Sequence, residues 1–560
     1  MIRRLLATTT VATLFASGAF AGDVFNLGLA LEEAERPSEA VRSAAPSAAS
    51  SPTSAISALT LSDGARDATT LDIDRWMDIA AISANLRPPE RDPNTREVPF
   101  DRDKFKSDPE YSSEYDPDAQ IEVYGGKRPV PRVTPPIEIG RELYGPGEIG
   151  EGIAVFGEKN RIWPQLILFG DSRTAVAYNK NDARETGQIA TRLNLFFNFQ
   201  LTGTDRILAF WRPLQDNGDF TRWEFAGPDR KQRVQVQAER APNTLFYEGD
   251  LGAFIAGVTD EYQSYDLPIS FGLMPLLFQN GVWMEDAILG GAFTIPAQNS
   301  PALGITNYDI TFFGGISDLN TDAFVNDAGQ KDEDQGMVLG VAGFFDVNEG
   351  YLELGYAHIF DKNKTDGGDQ SYHNFTAGFS KRYFGLVSNA TRFVANVGQN
   401  RGGGRAKTAD GFLILSENAF ITHMPLTLIP YANFWIGHNT PQSVARAGGA
   451  GGILRNVGLA FETDNLTGFP TLDPTGRDTL GGAIGLQYLF ALDQQLVVEA
   501  ATVIPWGDKA GPAIDNEYAL SARYQIPITN QLILRADAIY GIKESRDDVF
   551  GARFEVRVKF

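Results

Sequence analysis

The chain has no cysteine. That absence removes disulfides, thiolate metal centres, cysteine nucleophiles and the lipidated cysteine of a lipoprotein anchor at once. Histidine is scarce, with only His358, His373, His423 and His438 in 560 residues. No apolar run beyond residue 21 approaches the ~20 residues that a membrane-crossing helix needs. With a mean hydropathy of −0.20, a helical membrane protein is excluded. Positive charge is also in short supply. The formal net charge of −22 argues against nucleic acid, whose phosphates are held by basic patches.

What is present begins with Arg3 and Arg4, followed by a short apolar stretch from Leu5 to Phe20 and the small residues of Ala19-Phe20-Ala21. This is the pattern of a secretory signal peptide over residues 1–21, cut after Ala21. Residues 22–60 are rich in alanine, serine and proline, and residues 61–160 stay polar and acidic. Between Asp23 and Asn160 there are 26 acidic and 15 basic residues, a net of −11, so half of the total charge sits in this extension. Such composition cannot bury a core and is expected to be largely disordered, in the periplasm. Within it, Leu71, Trp76, Met77, Ile79, Ile82 and Leu86 fall at helical spacing, which fits either a docking helix or an isolated helix in a linker.

From residue 161 to 560 the texture changes to alternation. Arg192, Asn194, Asn198 and Gln200 fall on one side of a strand, and Leu193, Leu195, Phe197, Phe199 and Leu201 on the other. Glu517, Ser521, Arg523 and Gln525 likewise oppose Tyr518, Leu520, Ala522, Tyr524 and Ile526. Successive strand residues point to opposite faces, so each strand has one apolar and one wet face. A soluble sandwich could use this pattern, but strands this long, joined alternately by tight turns and long loops, fit a membrane barrel. Tight turns fall at Tyr383-Phe384-Gly385, Val347-Asn348-Glu349, Thr422-His423-Met424-Pro425 and Thr529-Asn530-Gln531; polar loops fall at 318–334, 362–369, 399–407 and 506–515. Trp506, Tyr540 and Tyr383 sit near strand ends, as interfacial girdles do.

At the C-terminus, Arg553, Glu555, Arg557 and Lys559 oppose Phe554, Val556, Val558 and Phe560. This decapeptide resembles the terminal strand of Gram-negative outer-membrane proteins, which ends in an aromatic residue. The resemblance implies an outer-membrane location, Phe560 as the signal read by the barrel-assembly machinery, and a surface meeting outer-membrane lipid and lipopolysaccharide. Counting back, strands are expected near 550–560, 530–541, 516–527, 494–505, 479–491, 427–438, 408–421, 386–398, 370–382, 350–361, 335–346, 308–317, 288–295 and 269–278. Earlier ones fall near 163–178, 188–202, 205–214 and 231–258, the last being one strand or two. The fold class is therefore all-β, an antiparallel transmembrane barrel of 16–18 strands, with 18 favoured, wide enough for an aqueous channel. Residues 439–477 become one long outer loop, either folded inward to narrow the pore or lying on the surface.

A pore selects by size and lumen charge. The pore-lining candidates are Asp171, Arg173, Arg192, Arg206, Arg212, Glu248 and Asp250, each of which could equally be a wall ion pair. Glu285 and Asp286 join them from the segment Phe271 to Asp286, where a strand runs into Asn280-Gly281 and then paired acids. Over residues 270–295 this segment is similar to a stretch of alginate-export-type porins, with Asn-Gly in place of their Asp-Gly. The similarity implies a barrel of similar size. It does not carry alginate as substrate, because such lumens are strongly basic and this chain is not obviously so.

Enzyme chemistry is not expected. Ser371, His373 and Asn374 do not match the arrangement of an outer-membrane phospholipase, and four scattered histidines are ordinary strand or turn residues. Asp361, Asn363, Thr365, Asp366 and Asp369 share a loop, but the glycine and bidentate glutamate of a calcium loop are displaced or missing. Arg401-Gly402-Gly403-Gly404-Arg405 lacks the Lys-Ser/Thr of a phosphate loop. No cofactor and no metal is expected. The leading function is passive diffusion of small hydrophilic solutes through a porin-like channel, with a homo-oligomer open. The alternative is a structural or surface-interaction protein with a plugged lumen, and the extension keeps that alternative in play.

Overall fold

The computed structural model describes residues 134–140 and 152–560, apart from 156, 182–183, 217, 228–232, 327–330, 332–335, 363–367, 426, 463–465, 491–492, 508–512 and 514. The signal peptide, the helical spacing at 71–86 and most of the acidic extension lie outside the described residues. Eighteen wall strands follow in order: β1 Gln165–Asn181, β2 Arg184–Gln200, β3 Arg206–Trp211, β4 Thr244–Asp250, β5 Pro268–Phe278, β6 Met284–Ser300, β7 Ile305–Ser317, β8 Gly336–Val347 and β9 Gly350–Asp361, then β10 Tyr372–Tyr383, β11 Val387–Val397, β12 Asp410–Phe420, β13 Leu428–Thr440, β14 Thr479–Phe490, β15 Gln494–Pro505, β16 Glu517–Pro527, β17 Leu532–Lys543 and β18 Val549–Lys559. Each pairs antiparallel with its neighbour in sequence, and β18 pairs with β1 from Asp171↔Lys559 to Lys180↔Phe550, which closes the barrel.

Closure leaves the barrel wall without a first or last free strand, the condition for a sheet to stand in hydrocarbon. The outward positions carry the apolar belt, including Phe293, Phe375, Phe393, Phe434, Leu520 and Phe554. Inward positions carry the polar set seen in the sequence alternation, with Arg192 and Asn194 buried inside β2 and Arg553 and Glu555 inside β18. The tight turns at 348–349, 384–386 and 528–531 share one rim, and the long loops share the other.

The C-terminus is built into the seam. Phe560 and Gly170 exchange backbone hydrogen bonds, at 2.8 and 2.9 Å. A Cβ on Gly170 would lie 3.1 Å from the Phe560 ring and 2.1 Å from the Asn194 carbonyl oxygen, so only glycine lets the ring lie against β1. Below that point a short strand, Ile137–Gly140, takes over the same edge of β1, pairing Ile137 with Leu168 through to Gly140 with Gln165.

Two stretches depart from the expectation. The strand near 205–214 stops at Trp211 and resumes as Asp219–Ala226, which pairs with the upper part of β2. Residues 212–218 interrupt it, with Pro213 unable to supply a ladder N–H. The region 231–258 is not two full strands: it holds Arg233–Gln235, then β4, then a helix α1, Leu251–Thr259. The Asp250 carboxylate caps α1 by accepting from the Ala253 N–H at 2.8 Å and ties it to β5 by accepting from the Leu267 N–H at 2.8 Å. A side chain that satisfies a helix's first free N–H groups favours the helix over strand continuation.

Candidate functional site: the lumen

The loop from residue 441 to 478 lies inside the barrel. Its first part docks on the β5–β6 corner. Val444 N–H donates to the Trp283 carbonyl at 2.8 Å, Ala447 N–H to the Glu285 carbonyl at 2.8 Å, and Ala445–Arg446 runs parallel to Met284 and Glu285. Met284 to Ile288 are free for this because β6 pairs with β7 only from Leu289 onward. The middle, which has a strand-like sequence, forms two 3₁₀ turns, Arg455–Val457 and Leu459–Phe461. These sit against β13 and β15: the Asn433 side chain donates to the Val457 carbonyl at 2.7 Å, and Glu499 accepts from the Leu459 and Ala460 N–H groups at 2.9 Å each. A Cβ on Gly458 would fall 2.1 Å from a Glu499 oxygen, so this approach requires glycine. The far end reaches β1, where Asn179 donates to the Thr467 carbonyl at 2.6 Å, and β16, where Glu517 accepts from the Asp473 N–H at 2.8 Å.

One sector of the lumen is dry. The corner Gln279–Trp283 turns inward, with Asn280 in the left-handed region at φ 56° that asparagine tolerates better than most residues. Trp283 is buried and donates through Nε1 to Asn374 at 2.9 Å, while Gln279 accepts from Thr376 at 2.7 Å. Phe278 and Phe313 pack on Trp283, Phe461 of the long loop packs on Trp435, and the same buried cluster takes in Met274, Ile288 and Val338 from the wall, Leu319 and Phe324 from the loop after β7, and Leu454 from the long loop. Burying a side chain of this size is worth about 1.5–3 kcal/mol. Several such side chains of the long loop, Leu454, Val457 and Phe461 among them, are buried in this cluster and favour its inward seat.

The other sector is charged. Arg192, Arg173 and Arg557 stand in one cross-strand row on β2, β1 and β18. Like charges so placed repel, and Asp171 relieves them. It accepts from Arg173 Nε and Arg557 Nε at 3.0 Å each and from Asn194 at 3.0 Å. Next along the wall, Asp537 gathers Arg523 at 2.6 Å, Arg535 at 2.9 Å and Arg553 at 2.7 Å. Glu555 lies in the field of Arg173, Arg535, Arg553 and Arg192. Against this wall the loop sets Glu462, 2.8 Å from Arg523 and 3.5 Å from Arg535. Burial works against the Glu462 charge, but Arg523, Arg535 and Arg455 outweigh it and hold the carboxyl down at about 2. Among the described residues, four carboxylates, Asp171, Glu462, Asp537 and Glu555, are thus set among these six wall arginines.

The sequence candidates divide accordingly. Asp171, Arg173 and Arg192 belong to the charged sector. Glu285 is an anchor of the loop, 3.2 Å from Arg455 and 3.6 Å from Arg446. Asp286 accepts from the Asn320 N–H at 2.8 Å and fixes the loop after β7. Arg206 and Glu248 are cross-strand partners near the tight-turn rim, Asp250 is the cap of α1, and Arg212 packs 4.8 Å over Phe210. Sequence reasoning missed Arg523, Arg535, Asp537, Arg553, Glu555 and Arg557 as a group. Their inward parity was readable; their convergence across three strands was not. Glu462, Arg446 and Arg455 carry no periodic signal because they lie in a loop. Asp361 and Asp369 serve their own loop, accepting from Gln370 and Ser371 N–H groups at 3.0 Å each.

No family model matches the sequence, and no curated protein matches it. Solved outer-membrane barrels are similar in fold. OccK5 (OpdH) of Pseudomonas aeruginosa is 10% identical, with 70% of this chain and 98% of that one covered and a TM-score of 0.43. OpdK of the same organism, solved with vanillate, is 13% identical with the same coverage and a TM-score of 0.43. Wzi of Escherichia coli, a carbohydrate-binding barrel involved in group 1 capsule assembly, is 13% identical, covering 70% and 84%, with a TM-score of 0.40. At these identities and scores no function transfers.

Proposed function

We propose that this protein is an outer-membrane channel for passive diffusion of small hydrophilic solutes, and that the strip between the inserted loop and the β16–β2 wall is its selective passage. The observation that supports this most is the seat of Glu462 among Arg523, Arg535 and the Asp537 cluster. A buried loop carboxylate seated among wall arginines sets a transverse field across the contact between loop and wall, and a solute passing there is oriented by it. In this reading the long loops face outside and the tight turns the periplasm. The apolar belt meets lipid and lipopolysaccharide, and Phe560 is read by the barrel-assembly machinery; side-by-side association of copies is compatible with it. The local likeness to alginate-export-type porins extends to barrel size and not to substrate.

The dry sector favours a second reading, a structural or surface-interaction barrel with a plugged lumen. Purified protein in a planar bilayer separates the two. Steady conductance steps, enlarged on deletion of residues 445–470, support the channel with the loop as its constriction. Steps unchanged by that deletion exclude the loop from the passage. Silence relieved only by removing residues 22–150 supports the plug.

A further inference from the structure

We propose that His358 and His373 form a binding site for a borderline-soft divalent cation of the zinc type on the outer wall of the barrel. They stand 15 residues apart in sequence, but β9 and β10 pair them directly, His358↔His373. Both occupy outward positions: their β10 neighbour Phe375 is exposed, while Asn374 and Thr376 between them point inward and are buried. His358 is three residues from the end of β9 and His373 is the second residue of β10. The pair is therefore at the long-loop rim, where the belt gives way to solvent.

The two Nδ1 atoms are 3.2 Å apart. A tetrahedral zinc with nitrogen ligands at about 2.0–2.1 Å holds those nitrogens about 3.3–3.4 Å from each other. The spacing of the two nitrogens thus matches one edge of a coordination tetrahedron, and a cation would replace the hydrogen bond they share. The rings are held in place. Phe360 meets His358 edge-on with centroids 4.1 Å apart, and a Cβ on Gly398 would come within 3.0 Å of the His373 ring, so glycine makes room for it. The Tyr356 hydroxyl lies 2.9 Å from the same His373 Nδ1, so the cation would take the place of that hydrogen bond. Asp369, in the loop above, adds a negative charge that acts on His358.

Among the described residues no set of three or more His, Asp or Glu side chains converges as a metal cage. The site is therefore open, with two protein nitrogens and the remaining positions filled by water. Imidazole donors select zinc, copper or nickel over magnesium and calcium, which prefer oxygen.

The test is titration of folded full-length protein in detergent micelles with zinc chloride alone, followed by calorimetry. One zinc ion per chain should bind. His358→Gln and His373→Gln should each weaken binding by more than about 10-fold, the least that losing even an outer partner costs a metal, whereas His438→Gln and magnesium chloride in place of zinc should leave no mark. Unaltered zinc binding in the double variant, loss of binding in His438→Gln, or no binding by the wild type would each overturn the site. Copper-loaded wild-type protein gives an independent reading by electron paramagnetic resonance, free of any question of variant folding. Superhyperfine splitting from two imidazole nitrogens supports the site, and its absence overturns it.

Discussion

On the β5–β13 side of the lumen the inward positions hold Met274, Ile288, Phe313, Val338, Leu413 and Trp435, with Asn374, Thr376 and the Arg392–Glu417 pair among them; on the β16–β2 side they hold Arg523, Arg535, Asp537, Arg553, Arg557, Arg173 and Arg192. Both stretches belong to one wall with one pleat and one alternation. What differs is what the loops bring. To the first side come Trp283, Leu319, Phe324, Leu454 and Phe461, and to the second, among the described residues, come the carboxylate of Glu462 and the ring of Phe469, 5.3 Å from the Arg553 guanidinium. A strand's alternation therefore fixes only which side chains avoid lipid. Whether the inward face is dry or wet depends on the loops that close over it.

The contrast breaks most severely at Trp283. Trp283→Ala empties the centre of the dry sector and leaves the Asn374 acceptor without its donor. A loss of about 3–5 kcal/mol is expected for a buried tryptophan. It would be measured by guanidinium unfolding in detergent, with ion preference in bilayers preserved because the arginine wall is untouched. A loss below about 1 kcal/mol, the scale of an ordinary surface change, would mean that this sector is not the loop's anchor.

Trp283 also marks where sequence reading stops. The wall was legible because alternation is local: β9 falls at Gly350–Asp361, where the sequence placed a strand at 350–361, and the closing strand ends on Phe560 as its pattern required. The inward fold of the long loop was one of two open readings. Its decisive contacts, such as Val444 to Trp283 and Asn179 to Thr467, join residues 161 and 288 positions apart and leave no periodic trace. The helix α1 hid for the opposite reason: Leu251 to Val258 is apolar enough to read as strand, and only the cap at Asp250 distinguishes it.

The contrast is sharpened at Glu462. Glu462→Gln keeps the shape of the side chain and removes the negative charge that the loop sets between Arg523 and Arg535. Arg523 and Arg535 then keep Asp537 but lose their second carboxylate. Loss of a buried charged hydrogen bond predicts about 1.5–3 kcal/mol. The reversal potential in a salt gradient should shift toward anions, since one negative charge is removed from among the arginines. A shift toward cations would remove Glu462 from the passage.

The same carboxylate sets an acid limit. Its value of about 2 in the folded protein lies below the 4.5 of an ordinary glutamate. A carboxyl depressed on folding contributes its full stabilisation above its unfolded value, and that contribution fades as pH falls toward the folded value. Loop seating should hold from neutral pH to about 5 and weaken between 4.5 and about 2. Protease cleavage within 441–478, followed against pH with an acid-active protease, reads this directly. Release near neutral pH would contradict it.

The smallest effect belongs to an ion pair outside both sectors. Arg206 and Glu248 face each other across β3 and β4, and both side chains remain about a quarter exposed, at 24% and 26%. Water screens such a pair and its long side chains lose freedom on pairing, so removal costs about 0.2–1 kcal/mol. Arg206→Ala should therefore leave the unfolding midpoint in detergent nearly unmoved. It should also leave the reversal potential unmoved, because among the described residues no loop closes over this pair to confine its field. A selectivity change comparable to that of Glu462→Gln would mean that solutes pass along β3 and β4, and that the passage is not the strip on which Glu462 sits.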